Sequence, residues 1–133
     1  MREIVLETER KLQLIEVTDQ IRDALRDANG AAAALVYVPH TTAGVAINER
    51  IDPELVTDLE NAFNRVVGDD WGWRHEDEDG PNAPSHARAS LASSPQVLIP
   101  LRDGALALGR YQAIFLCEFD GPKARSVFVT VLQ

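Results

Sequence analysis

The chain has one cysteine, Cys117, so no internal disulfide can staple it. A basic excess is also missing: 13 lysines and arginines stand against 21 aspartates and glutamates, a net charge of −8. A nucleic-acid backbone would meet a repulsive field, and no basic–aromatic stripe offsets it, so no nucleic acid is expected as a partner. No apolar run approaches the ~20 residues that cross a bilayer. Glu3, Glu7 and Glu9 surround the short apolar start, which is not how a secretion signal reads. A cytoplasmic protein without a membrane partner is expected. There is no internal repeat, no Gly-x-Ser-x-Gly elbow and no glycine-rich phosphate loop. Cys117 closes the apolar run 113–117 and reads as a buried thiol, which disfavours nucleophilic catalysis.

What is present is the composition of a globular protein. With 45% apolar and 26% charged residues, 133 residues build one core but not two, so a single domain over 1–133 is expected. Alternating apolar positions in 3–17 predict two strands. Thr18 or Asp19 can cap a helix carrying Ile21, Ala24, Leu25 and Ala28, ended by Asn29-Gly30. The runs 31–38 and 44–48 predict strands. Asp52-Pro53 opens a second helix, with Leu55, Leu59, Ala62, Phe63 and Val66 on one stripe up to Gly68. Residues 69–82 predict a loop, pinned to the body by Trp71 and Trp73. Its acidic residues, Asp69, Asp70 and the block 76–79, read as solvated. Ser85 is placed as the cap of a third helix reaching about Ala92. Strands follow at 97–101, 105–108, 111–119 and 126–132, with turns at Asp103-Gly104 and Asp120-Gly121-Pro122. Turns this short imply antiparallel neighbours. The class is α+β: an antiparallel β-sandwich or barrel-like sheet carrying two or three helices.

Three histidines attract attention through their settings. His40 stands at the abrupt end of an apolar strand, in Val38-Pro39-His40-Thr41-Thr42. His75 lies in the polar loop beside Arg74. His86 falls in the first turn of a helix, where the dipole favours a neutral ring able to serve as a ligand or base. Three imidazoles plus water form a catalytic rather than a structural zinc pattern. Their spacing matches no compact metal signature, and separate capping or surface histidines are the plainer alternative. Polar residues also mark strand ends: Asn48 and Glu49, Gln112, and Glu118. For Glu49 and Glu118 the plainer reading is an exposed strand terminus. Gly109-Arg110 and the helix start at Ser85 could accept a phosphate through backbone N–H groups and a guanidinium. Arg88, Arg102, Arg110, Lys123 and Arg125 leave room for a local basic pocket in the C-terminal half.

The blocks VPHTTAGVAINE (38–49), NAPSHARASL (82–91) and DGALALGRYQAIFLCEFDGPKARSVFVTVL (103–132), in this order, resemble the YjbQ-type family. The resemblance runs from about residue 3 to the C-terminus. It implies a barrel-like α+β sandwich assembled as a homotrimer, with a polar pocket near the subunit boundary. It places His40, Thr41, Thr42, Asn48 and Glu49 in its first block. Arg74-His75 matches its loop histidine, Asn82 and His86 its next block, and Gly109, Gln112 and Glu118 its last. It further implies that the histidines hold a divalent metal. The activity implied is a secondary thiamine-phosphate synthase, joining hydroxymethylpyrimidine diphosphate to a thiazole phosphate and releasing pyrophosphate. Ala92-Ser93 stands where Leu-Gly is common, and Tyr111 where Trp is usual.

The reading that results is a metal-assisted enzyme acting on a small phosphorylated metabolite. His40, His75 and His86 would hold a divalent metal, zinc by ligand type. Glu49, Glu118, Gln112 and Asn48 supply candidate catalytic groups. Thr41, Thr42, Asn82, Gly109 and Arg110 would hold substrate or phosphate. The rival is a non-catalytic trimeric module that binds a ligand in the same histidine-lined pocket.

Overall fold

Segments near the two termini pair with each other in the computed structural model, which describes residues 1–50, 52–76 and 80–133. In chain order the elements are β1 (Arg2–Glu7), β2 (Gln13–Glu16), α1 (Thr18–Ala24), β3 (Ala33–Tyr37), β4 (Ala43–Glu49), α2 (Pro53–Arg65), α3 (Ala83–Ala92), β5 (Gln96–Arg102), β6 (Ala105–Leu106), β7 (Gln112–Glu118) and β8 (Ala124–Leu132). They form two antiparallel sheets, in the orders β1-β8-β3-β5-β6 and β2-β7-β4. The β5–β6 turn has positive φ at both Asp103 (53°) and Gly104 (79°), the backbone a tight hairpin needs to match strand twist. No helix among the described residues is long and apolar enough to cross a membrane.

The sheets face each other across one core. From the five-stranded sheet come Ala34, Val36, Ile99, Val127 and Val129; from the three-stranded sheet, Val45, Ile114 and Leu116. The even positions of β7 thus point between the sheets. Its odd positions Ala113, Phe115 and Cys117 point the other way, against Phe63 of α2 and Ala89 of α3. With apolar packing on both faces, β7 is continuously apolar rather than alternating. The outer face of the five-stranded sheet stays uncovered. Val5, Tyr37, Leu98 and Leu132 are exposed there, and Tyr37 stacks on Phe128 with ring centroids 6.5 Å apart.

Three local readings differ from expectation. α1 stops at Ala24, and the chain turns through 25–31 on short backbone bonds, such as Ala28 N–H to the Leu25 carbonyl (3.0 Å). α3 begins at Ala83, with Asn82 at its cap position and Pro84 in its first turn. Ser85 is therefore inside the helix, and its Oγ donates to the Phe119 carbonyl (2.5 Å). Trp71 and Trp73 stack on each other (6.0 Å), and the Trp73 Nε1–H donates to the Gly68 carbonyl. The pair therefore braces the end of α2, and Trp71 remains 63% exposed. Of the acidic block, 77–79 lies outside the described residues. Asp69 pairs with the buried guanidinium of Arg88, whose Nη2 also donates to the Asn64 carbonyl in the last turn of α2 and to the Val67 carbonyl just beyond it.

Candidate functional site

The sandwich has a polar end where β7 finishes, β4 begins and β8 begins. Ala43 lies opposite Glu118 in the sheet. Glu118 follows Ile114 and Leu116 on the side of β7 that faces the other sheet, so its carboxylate is buried among apolar groups. A carboxylate there requires a cation and full hydrogen bonding. Both are present. Arg125 Nε donates to Oε1 (2.8 Å) and Nη2 to Oε2, Thr8 Oγ1 donates to Oε1 (2.7 Å), and the Asp120 N–H donates to Oε2 (3.1 Å). Burial alone would raise the Glu118 pKa; the bonds from Arg125, Thr8 and Asp120 hold it below the usual glutamate value. Four donors occupy its acceptor positions, so it offers no lone pair to a substrate proton. Its role is to hold Arg125, whose Nη2 also donates to Thr42 Oγ1 (2.8 Å) and to the Thr42 carbonyl.

That clamp fixes the segment 38–42, which carries His40. The Ser126 N–H donates to His40 Nε2 (3.0 Å). Burial first, and then the positive charge of Arg125 and Lys123, lowers the His40 pKa. The ring is therefore neutral at pH 7, with its remaining proton on Nδ1.

Two anchors set α3 beside it: the Ser85 bond to Phe119, and Asn82 Nδ2 donating to Asp120 Oδ2 (3.1 Å). One turn beyond Asn82, His86 meets His75 edge to face, with ring centroids 5.0 Å apart. His86 and Ser90 are the shared wall of two adjoining recesses. One, of about 390 Å³, includes Trp73 and His75. The other, of about 380 Å³, includes His40 and Thr41. Either lies in the ~300–1,000 Å³ range of small-ligand pockets.

The structure thus brings the three histidines around one wall but not into one ligand set. Among the described residues, no three His, Cys, Asp or Glu side chains are gathered closely enough to hold a metal. His75 and His86 are in ring contact, whereas the Ser126 N–H occupies the Nε2 lone pair of His40, which leaves its proton on Nδ1 and no free lone pair for a metal.

Thr41, Thr42, Asn82 and Glu118 belong to this end. Asn48, Glu49, Gln112, Gly109 and Arg110 do not. Glu49 pairs with Gln112 at the opposite end of the sheet, six residues along β7 from Glu118 and so about 20 Å away. There Gln112 Oε1 accepts from the Gly109 N–H (2.7 Å), Asn48 Oδ1 from the Glu49 N–H (2.7 Å), and Arg110 lies over the Tyr111 ring. Cys117 is fully buried, and burial pushes its thiol up to about 12.

Sequence reasoning missed the Glu118–Arg125 pair, the Thr8 donor and the part played by Lys11. Strand parity carried one usable signal. Glu118 shares a side with Ile114 and Leu116, and Arg125 shares one with Val127 and Val129. Two inward positions of opposite charge at one end of a sandwich demand each other.

The model of the family described as "UPF0047 protein YjbQ-like" matches residues 2–133. The UPF0047 protein YugU of Bacillus subtilis is 32% identical, covering 99% of this chain and 98% of its own. A UPF0047 protein of Archaeoglobus fulgidus is 36% identical, covering 98% and 99%. Among solved structures, a YjbQ/UPF0047 family protein from Clostridium acetobutylicum superposes with a TM-score of 0.87 at 35% identity, covering 99% of this chain and 100% of that one. A hypothetical protein from Aeropyrum pernix gives 0.89 at 33%, covering 98% and 96%. The chain belongs to the YjbQ-like UPF0047 family.

Proposed function

We propose that this YjbQ-like protein is an enzyme that takes a small phosphorylated metabolite into the paired recess walled by His86. The observation that carries the reading is the convergence of His40, His75 and His86, from three separate segments, on two chambers with a common wall. Two chambers suit a reaction that joins two molecules. The specific form proposed is the one the family resemblance implies: hydroxymethylpyrimidine diphosphate and a thiazole phosphate combine, and pyrophosphate leaves.

In this scheme the Nδ1–H of His40 is a donor toward a substrate oxygen, and Thr41 stands beside it in the same recess. The Glu118–Arg125 pair orients the segment that carries both. A divalent metal such as zinc, held by His75 and His86, would polarise a phosphoryl oxygen. Ligand oxygens or water would fill its remaining positions.

A homotrimer is part of the proposal. The support is the uncovered apolar face around Val5, Tyr37, Leu98 and Leu132, of the kind that marks contact surfaces.

The test is metal analysis of single alanine variants after zinc loading, together with a pyrophosphate-release assay on the two named substrates. His75→Ala and His86→Ala are expected to lose the metal, and His40→Ala to keep it while losing activity. Loss of metal from all three would restore the three-histidine site; loss from none would remove the metal from the scheme. One observation favours a binding module instead: among the described residues, no carboxylate lines either recess. Saturable ligand binding without product would decide for that reading.

A further inference from the structure

The chain contains only two lysines, Lys11 and Lys123, 112 positions apart, and both ammonium groups meet on one carboxylate. Lys11 Nζ donates to Asp120 Oδ1 (2.6 Å) and Lys123 Nζ to Asp120 Oδ2 (2.7 Å). Asp120 is nearly buried, and its Oδ2 also accepts from Asn82. The three charged groups line a recess of about 400 Å³, with the backbone of Gly80 and Gly121 in its wall.

The lysines spring from fixed backbone. The Gly121 N–H donates to the Lys11 carbonyl (3.0 Å), and the Thr8 N–H to the Lys123 carbonyl (2.8 Å). The Lys123 N–H in turn donates to Thr8 Oγ1 (2.9 Å). A Cβ on Gly121 would collide with the Arg10 carbonyl and stand 2.9 Å from Thr8 Oγ1, so only glycine lets the segment bearing Lys11 come this close. The two ammonium groups therefore flank one carboxylate, one on each of its oxygens, an arrangement that two oxygens of a phosphate group can also span. Each has three N–H donors, and Asp120 takes one from each.

Among the described residues, two ammonium groups and one carboxylate give this recess a charge of +1, in a chain whose net charge is −8. An acidic protein that concentrates both its lysines in one concavity has made a local attractor for anions. Asn82 lines this recess, and His86 lies one helical turn further along α3, about 6 Å along the axis. The lysine recess and the histidine recesses thus flank the same turn of α3.

We propose that the Lys11–Lys123 recess is an anion subsite that binds a phosphate or diphosphate group, with the body of the ligand extending along α3 toward His86. This deepens the reading above and rests on it only for what the anion is attached to. The subsite is distinct from the Gly109–Arg110 position, which lies at the far end of β7.

The test uses inorganic pyrophosphate with the full chain freed of divalent metal by chelation, followed by calorimetry at low and moderate salt. Wild type is expected to bind saturably, and more weakly as salt rises. Lys11→Met is the decisive variant, because that side chain is 60% exposed and its loss leaves the core intact. Lys11→Met and Lys123→Met should each weaken binding about tenfold or more, one charge-assisted contact being worth roughly that factor. Asp120→Asn should strengthen it, since the anion no longer competes with a resident carboxylate. His75→Ala and His86→Ala should bind pyrophosphate as wild type does. That separates this proposal from the metal reading, which fails or stands on zinc content alone. Absence of saturable binding by wild type, or equal affinity in wild type and Lys11→Met, overturns the subsite.

Discussion

The three-stranded sheet β2-β7-β4 has two ends, and both carry polar residues at strand termini. At the Gln112 end those residues satisfy their own neighbours: Gln112 bonds Gly109, Asn48 bonds Glu49, and Arg110 covers Tyr111. Among the described residues, no side-chain hydrogen bond there reaches more than a few positions along the chain. At the Glu118 end, side chains arrive from residues 8, 11, 42, 82, 85, 123 and 125, and each but Lys123, three positions from Asp120, bonds across the fold. Local polarity finishes a strand. Polar groups that converge from distant segments build a site.

The sharpest way to break this contrast is to remove a cation at each end. Arg125→Met leaves Glu118 buried without its partner and should cost about 3–5 kcal/mol in urea unfolding. Arg110→Met, at an exposed position, should stay within about 0.5 kcal/mol. Equal losses would mean that the two ends are built alike.

Acid sharpens the contrast next. Glu118 lies below its ordinary 4.5, and Asp120 is held at about 2 against an ordinary 3.8, despite burial, by Lys11, Lys123 and Asn82. The unfolded chain takes up these protons first. The stability they confer is therefore fully present above about pH 4.5 and is lost as pH falls through the folded values. For Asp120 that amounts to about 2 kcal/mol between pH 4 and pH 2. Stability against pH, compared between wild type and Asp120→Asn, should show a shallower fall for the variant below pH 4. The smallest effect belongs to the far end. Gln112→Ala gives up one exposed hydrogen bond, about 1 kcal/mol or less, and should leave pyrophosphate and zinc binding unchanged.

The order of the three helices and eight strands among the described residues could be read from the sequence because it depends on local signals. Asp52-Pro53 opens α2 as expected, with Asp52 Oδ1 accepting from the Glu54 N–H. The run 113–117 is a buried strand because each of its faces has a covering layer. The boundaries that moved did so for tertiary reasons. Ser85 has the chemistry of a cap, yet the Phe119 carbonyl lies closer to hand, so Asn82 takes the cap position. Glu118 resembles Glu49 in sequence, each ending an apolar strand. Only the register against β4 and the facing β8 decides that one is buried and the other exposed. Thr8 and Glu118 are 110 residues apart, and Lys11 and Asp120 are 109 apart. Pairings of that range are set by how the sheets stack, which local periodicity does not encode.

One consequence of the doubly covered strand concerns Cys117. Its thiol sits under the helix layer, which must leave β7 before a reagent can arrive, and burial keeps it protonated up to about pH 12. Local fraying at loops or sheet edges does not uncover it. Its rate of chemical labelling therefore reads the release of the helix layer from β7, so the protein carries a built-in clock for that opening.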